Sequence, residues 1–435
     1  MKTLGIRRED KNIWEKRTPL VPSDLEDLIK NDNIKVIIQS SSIRAFKDEE
    51  YKSIGVHVDE NFLEESDIIF GIKEIPIDQI QSSKVYIFFS HTIKGQYYNM
   101  PLLKRFLDVK ATLIDYERIF DKNGKRLIFF GKHAGIAGAI DTLSILGKRL
   151  KILGYETPFL KIKQAYEYKT IKEAESEIKI IGEIIKKEGI DERIIPVIFG
   201  ITGYGNVSIG VQEILNLLPT KYIKANEIKN VKHDNSNIYV VIFKEEDMVI
   251  PKQKCNFDLQ DFFKNPQKYE SIFFKYLPYL DVIFNAIFWT NSSPVYISKK
   301  DLKSLFETGY KSKLKVIGDI SCDIKGSVEC NIKVTTPDKP AYIYNPLKDS
   351  YTDGWEGDGI VIIAIDNLPA EIPYDSSIHF SSSLKPFVKS ILAADYTVDF
   401  KDLNLPEEIK RAVIVYNGEL TEDYKYLNKY LNSEL

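Results

Sequence analysis

The most constraining stretch of the chain is Val197-Ile198-Phe199-Gly200-Ile201-Thr202-Gly203-Tyr204-Gly205-Asn206-Val207-Ser208-Ile209-Gly210. An apolar strand pattern passes directly into a glycine-rich turn and then into a helix with Val211, Ile214, Leu215 and Leu218 on one face, stopped by Pro219. Such a turn brings the backbone close to a pyrophosphate and sets it on the helix N-terminus, where unpaired N–H groups favour an anion. Gly203, Tyr204, Gly205, Asn206 and Val207 are therefore the candidate cofactor-binding residues. Ser208 stands where the pattern wants a third glycine, so an ordinary glycine loop is the competing reading. The next strand ends at Lys221-Tyr222-Ile223-Lys224-Ala225-Asn226. There Lys224 could pair with a 2′-phosphate, which favours NADP(H), while NAD(H) stays open because Glu227 would serve a ribose if the strand end lies a few residues on. A solvated surface lysine is the bland alternative.

The rest of the chain agrees with an α/β architecture. Thr3 to Ile6, Lys35 to Gln39, Ile68 to Ile72, Val85 to Phe89 and Thr112 to Ile114 are compact apolar runs separated by helix signals. Pro22-Ser23-Asp24 reads as a cap, and Asn123-Gly124 as a hairpin turn. Small residues from Ala134 to Ala139 lead into Leu143, Leu146 and Leu150, which predicts a buried helix running between domains. Ile171 to Lys187 reads as an amphipathic helix closed by Gly189, and the strands expected after it include Ile194 to Thr202, Lys221 to Ile223, Ile238 to Phe243, Val282 to Phe284, Leu314 to Ile317 and Ile360 to Ile365. The last part is helical, with Leu384, Val388, Ile391 and Leu392 on one face, and needs the first domain to pack on.

Composition removes several classes of function. A length of 435 residues suggests about two or three domains. The 60 Lys and Arg nearly balance 63 Asp and Glu, a net charge of -3, so there is no global basic field to hold a nucleic acid. Cys255, Cys322 and Cys330 form no C-x-x-C pair, which disfavours a disulfide scaffold or structural zinc. No apolar run is long enough for a bilayer, and MKTLGIRRED lacks a signal peptide's apolar stretch, so a cytoplasmic protein is expected. His57, His133, His233 and His379 have no metal-ligand spacing, and Asp353 to Gly359 lacks the spacing of a calcium loop; no metal is expected.

The chemistry gathers in the first domain. Phe88-Phe89-Ser90-His91-Thr92-Ile93-Lys94-Gly95-Gln96 puts a histidine and a lysine after one strand, and Gly71-Ile72-Lys73 puts a lysine after another. Carboxyl ends of strands are where ligands collect in such sheets, and Lys73 with His91 is a candidate acid–base pair. Taken singly, each has a structural or solvated alternative. Arg17, in Trp14-Glu15-Lys16-Arg17-Thr18-Pro19, could clamp a carboxylate in a bidentate fork or simply lie on the surface.

With these motifs in order, the chain resembles the lysine-ketoglutarate reductase domain of the aminoadipic semialdehyde synthase family, and more distantly lysine-forming saccharopine dehydrogenases and alanine dehydrogenases. The stretches that carry the resemblance are Gly5 to Asp10 with Trp14 to Arg17, Phe88 to Gln96, Leu113-Ile114-Asp115-Tyr116-Glu117, Thr202 to Ser208, and Asp366-Asn367-Leu368-Pro369-Ala370. The resemblance implies two Rossmann-like domains, the nucleotide domain (156–365) inserted into a discontinuous substrate domain (1–155 and 366–435). It implies reductive condensation of L-lysine with 2-oxoglutarate to saccharopine, in a cleft that closes over the cofactor. In this reading Lys73 and His91 handle the protons, Arg17 binds a substrate carboxylate, Lys94 pairs with Asp319, and Glu117 tunes the site electrostatics. The domain that would cleave saccharopine is expected to begin where this chain ends, so a separate saccharopine-cleaving dehydrogenase would be the functional partner; homo-oligomers are allowed. Two other readings stay open: a related amino-acid or opine dehydrogenase, and a non-catalytic dinucleotide-binding regulator.

Overall fold

The computed structural model describes residues 2–308 and 313–431. Expectations that fall on 432–435 lie outside the described residues.

The N-terminal part runs β1 (Leu4–Ile6), α1 (Pro22–Asp32), β2 (Val36–Ile38), β3 (His57–Val58), β4 (Ile68–Phe70), β5 (Val85–Phe88), α2 (Met100–Asp108) and β6 (Thr112–Asp115). All the residues of β4, β5 and β6 are buried, as expected for parallel strands covered on both faces. The middle part opens with α3 (Gly131–Ile152) and α4 (Ile171–Glu188), followed by β7 (Val197–Thr202), α5 (Asn206–Leu215), β8 (Thr220–Ile223) and β9 (Ile238–Phe243). It continues through a small ribbon of β10 (Val249–Pro251) and β11 (Tyr269–Ser271) to β12 (Val282–Asn285) and β13 (Val316–Asp319). The strands β14 (Ala341–Asn345), β15 (Ser350–Asp353) and β16 (Ile360–Ile363) follow, and the tail adds α6 (Pro373–Ala393), β17 (Val413–Tyr416) and β18 (Glu419–Leu420).

By contacts the chain divides into one unit of 1–130 with 373–435 and another of 131–372. The division falls at 130/131 and 372/373, whereas the sequence reading put it at 155/156 and 365/366. The difference at the first boundary is α3, which is buried nearly all round inside the second unit. Its small residues let backbones meet: an added Cβ on Gly135 would lie 1.9 Å from the Val207 carbonyl oxygen, and one on Gly210 of α5 would lie 2.1 Å from that of Lys132.

In the first unit the strand order is β18-β17-β6-β5-β4-β1-β2-β3, parallel from β6 to β3 and antiparallel where β17 joins β6. The tail thus supplies strands as well as a helix. On α6, Leu384, Val388, Ile391 and Leu392 are buried, and its serines complete α1: Ser377 Oγ accepts from the Thr18 N–H at 3.0 Å and Ser381 Oγ from the Val21 N–H at 3.0 Å. The cap expected from Ser23-Asp24 is displaced, since Val21 is the N-cap residue and has no side-chain cap of its own. At Asn123-Gly124 a single antiparallel bridge joins Phe120 to Arg126.

The second unit has the order β15-β14-β16-β13-β12-β7-β9-β8, parallel from β16 to β8. Its α4 is capped by Thr170 and ends at Gly189 with φ of 80°. The glycine-rich segment 353–359 is a structural loop: Arg149 donates to the carbonyls of Trp355 at 3.0 Å, Gly357 at 2.9 Å and Gly359 at 3.1 Å. Among the described residues no cluster could hold a metal, and no helix is long and apolar enough to cross a membrane.

Because the α3–α5 crossing leaves no room for a side chain, Gly135→Ala should cost about 1–3 kcal/mol. Thermal denaturation of the variant checks this, and an unchanged melting temperature would show that the crossing can relax.

Candidate functional site

In the first unit, β4 and β5 are parallel neighbours, Phe70 opposite Ile87, so Lys73 and His91 leave adjacent strand ends. The backbone at His91 has φ of 52°, and its carbonyl accepts from Asn99 Nδ2 at 2.9 Å, which fixes the turn. The imidazole Nδ1 lies 2.5 Å from Glu74 Oε1, and the ring stacks on Phe89. Burial pushes the Glu74 carboxyl up, but the hydrogen bond and charge of His91, with Lys11 beyond, outweigh it and hold the group at about 2. Glu74 therefore orients the imidazole, leaving Nε2 for chemistry. Lys73 is half-buried. Its pKa is lowered by burial first and then by the Arg17 and Lys11 charges, against the pull of Glu15 and Glu74.

Arg17 departs from the expected clamp. It is 2% exposed, and Glu15, fully buried two residues earlier, accepts from its Nε at 2.7 Å and its Nη2 at 2.5 Å. Its guanidinium also covers the Phe130 ring at 4.1 Å. The bidentate geometry is present, but the carboxylate in it belongs to the protein.

The sequence reading missed a second arginine, Arg126. Its Nε donates to the Ile128 carbonyl at 3.1 Å, the guanidinium sits over the Phe89 ring at 5.4 Å, and Glu117 and Asp115 are the acids that face it. Its two terminal amino groups have no hydrogen-bond partner among the described residues and are not sealed from solvent. The signal that could have found it is the Asn123-Gly124 turn, which returns the chain to bring Arg126 back onto Phe89. Glu117 is half-buried past the end of β6, its N–H donating to Asp115 Oδ1 at 2.7 Å.

The candidate residues of the second unit also sit at the carboxyl ends of parallel strands. Gly203, with φ of 84°, follows β7, and an added Cβ there would press on Ile287 and the Ala286 carbonyl. Tyr204 is exposed, Gly205 is the extended N-cap residue of α5, and Asn206 and Val207 open its first turn. A Cβ on Gly205 would project into open space above that turn, and Ser208, the missing glycine, is fully buried and accepts from Gln212. The turn and the uncapped helix start fit a dinucleotide pyrophosphate. Lys224 follows β8 directly and its side chain is exposed; its N–H donates to Glu227 at 2.7 Å, so Glu227 is occupied in capping the next turn.

Asp319, the last residue of β13, is buried and accepts from Asn285 Nδ2 at 2.7 Å, Ser321 Oγ at 2.7 Å and Asn331 Nδ2 at 2.8 Å. Burial raises its pKa, and these three donors oppose the rise. In its own unit Asp319 is thus met by neutral donors, while Lys94 is an exposed residue of the other unit.

The alanine dehydrogenase/PNT N-terminal domain model matches residues 5–137 and the C-terminal domain model of the same family matches 260–423, together more than half of the chain. The chain belongs to the alanine dehydrogenase/PNT family. Over nearly its whole length it is homologous to the alpha-aminoadipic semialdehyde synthases. The Arabidopsis thaliana alpha-aminoadipic semialdehyde synthase is 36% identical over 99% of this chain and 42% of its own length, and the Bos taurus mitochondrial protein is 36% identical over 98% and 47%. The chain therefore spans about half the length of these curated relatives. The saccharopine dehydrogenase [NAD(+), L-lysine-forming] of Neurospora crassa is 25% identical over 88% of this chain and 89% of its own. Among solved structures, an L-alanine dehydrogenase aligns with a TM-score of 0.64 at 14% identity, covering 98% of this chain and 99% of its own, which establishes the shared two-sheet α/β fold.

The Glu74–His91 contact makes a pH prediction. Glu74 is held at about 2, below its ordinary 4.5, so its contribution to stability is present above pH 4.5 and is lost as pH falls toward 2. The gap in melting temperature between wild type and Glu74→Gln, followed by circular dichroism, should be widest near neutral pH and close on acidification through that window.

Proposed function

We propose that this chain is a lysine-2-oxoglutarate reductase, a saccharopine dehydrogenase of the L-lysine-forming type, condensing L-lysine with 2-oxoglutarate and reducing the imine to saccharopine. The observation that carries the reading is the adjacent placement of Lys73 and the Glu74-oriented His91 at neighbouring strand ends. Homology to the aminoadipic semialdehyde synthases and to the fungal saccharopine dehydrogenases supports it.

The lysine ε-amine attacks the keto carbon of 2-oxoglutarate. The carbinolamine then loses water, which requires a proton delivered to its hydroxyl and one removed from nitrogen. Lys73, with its proton loosened by burial and by Arg17, takes protons from nitrogen. His91, its ring held through Nδ1 by Glu74, presents Nε2 as the proton donor. Arg126 takes the carboxylate-binding role expected of Arg17, because its fork is open, and Arg17 acts on Lys73 through charge. Glu117 and Asp115 balance Arg126.

A nicotinamide dinucleotide, when bound, supplies the hydride. Gly203, Tyr204, Gly205, Asn206 and Val207 would hold its pyrophosphate, and Lys224, exposed at the end of β8, favours NADPH. The N. crassa relative is named for NAD(+), so NADH is the comparison arm. The product would pass to a separate saccharopine-cleaving dehydrogenase.

Steady-state assay should show NADPH oxidation that needs both lysine and 2-oxoglutarate; no turnover with the pair at high enzyme concentration refutes the reading. His91→Ala and Lys73→Met should each lower kcat by about 10²–10⁴-fold with little change in cofactor KM. Lys224→Ala should raise KM for NADPH by about tenfold or more and leave NADH unaffected, as loss of a charge-assisted hydrogen bond requires. Equal effects on both cofactors would remove Lys224 from the phosphate site.

A further inference from the structure

Glu9 lies just past β1 and has no part in the scheme above. It is 4% exposed, and its two oxygens hold two successive backbone groups: Oε1 accepts from the Ile72 N–H at 2.7 Å and Oε2 from the Lys73 N–H at 2.9 Å. These are the residues that carry the chain off β4 toward the reactive amine. Gly71 lies close beside both side chains: an added Cβ would be 3.2 Å from Arg7 Cδ and 3.5 Å from Glu9 Oε1.

The charges around this carboxylate do not neutralise it by contact. Arg7 Nη1 is 3.9 Å from Glu9 Oε2, beyond hydrogen-bond range, and Arg7 Nε and Nη1 have no hydrogen-bond partner among the described residues, while Nη2 is given to Asp10. Glu15, on the following loop, repels the carboxylate; the Tyr116 hydroxyl, past β6, is buried with no hydrogen-bond partner among the described residues and feels both Glu9 and Asp115. Burial pushes Glu9 up to about 6, against the pull of Arg7 and of the two N–H groups. A buried carboxylate held this way is costly at neutral pH, and what it secures is the direction in which Lys73 leaves the sheet.

We propose that Glu9 is a positioning residue for Lys73: by gripping the N–H groups of Ile72 and Lys73 it fixes the root of the lysine side chain and so the place its amine reaches. This rests on the acid–base role given to Lys73 above. Lys73 itself, Arg17, Glu15, Lys11 and Glu74 are further charged groups at this corner; Arg17 and Glu15 are paired with each other, and Lys11 lies 3.2 Å from Glu74.

The test uses the full chain as wild type, Glu9→Gln and Glu9→Asp. Glutamine keeps an acceptor for one N–H and turns an amino group on the other, while aspartate keeps both acceptors on a shorter stem. Glu9→Gln should lose about 10- to 100-fold in kcat with KM for NADPH unchanged, and Glu9→Asp should recover part of the loss. Independently of turnover, the backbone amide resonances of Ile72 and Lys73 in the wild type should titrate together with a midpoint near 6. A Glu9→Gln protein that turns over at the wild-type rate, even with a lowered melting temperature, makes Glu9 merely structural and overturns the proposal. Ile72 and Lys73 amides that respond neither to pH, over the range in which the protein stays folded, nor to Glu9→Gln overturn it as well. A wild-type chain with no lysine-dependent activity refutes the reaction instead, and the amide titration then decides about Glu9 alone.

Discussion

Parallel strand pairing is the constraint on which the rest of this molecule depends. In a parallel ladder every neighbouring strand ends at the same edge, so residues far apart in sequence are delivered side by side without any direct attraction between them. That is how Lys73, His91 and Glu117 come to share one edge of the first sheet. The same rule gathers Gly203, Lys224 and Asp319 at one edge of the second.

Charge is concentrated at the first of these edges and largely internal to the protein. Glu15 fills the fork of Arg17, Glu74 holds His91, and Glu9 holds the backbone under Lys73. Such groups are expensive to bury, and each pair or hydrogen bond offsets part of that cost. The consequence is an amine whose proton is loosened by burial and neighbouring cations, and an imidazole at the neighbouring strand end whose ring is fixed by a carboxylate.

Much of the architecture was legible because apolar runs of four to six residues between turn signals are what doubly covered parallel strands look like. The core strands β7, β9 and β12 and the motif turn after β7 follow from the residues themselves. The strands β14 and β15 were not legible: β15 is exposed at every residue, so no apolar pattern marks it, and β14 depends on its pairing with β15 and β16. The tail read as a helix, but β17 forms only because β6 offers it an open edge. The helix α3 read as a connector between domains, yet Gly135 and Gly210 bind it into the second unit by close backbone contact.

The sequence by itself determined the α/β class, the glycine-rich turn after β7 and the residues with chemistry to offer, because period, glycine placement and side-chain type are local properties. Only the tertiary structure decided what each charge faces. Arg17 and Arg126 are alike in type, but one is closed by a glutamate two residues away and the other is left open over an aromatic ring. Whether a guanidinium has a partner, and whether a lysine keeps its proton, depends on burial and on neighbours brought in by strand order. No local pattern encodes either.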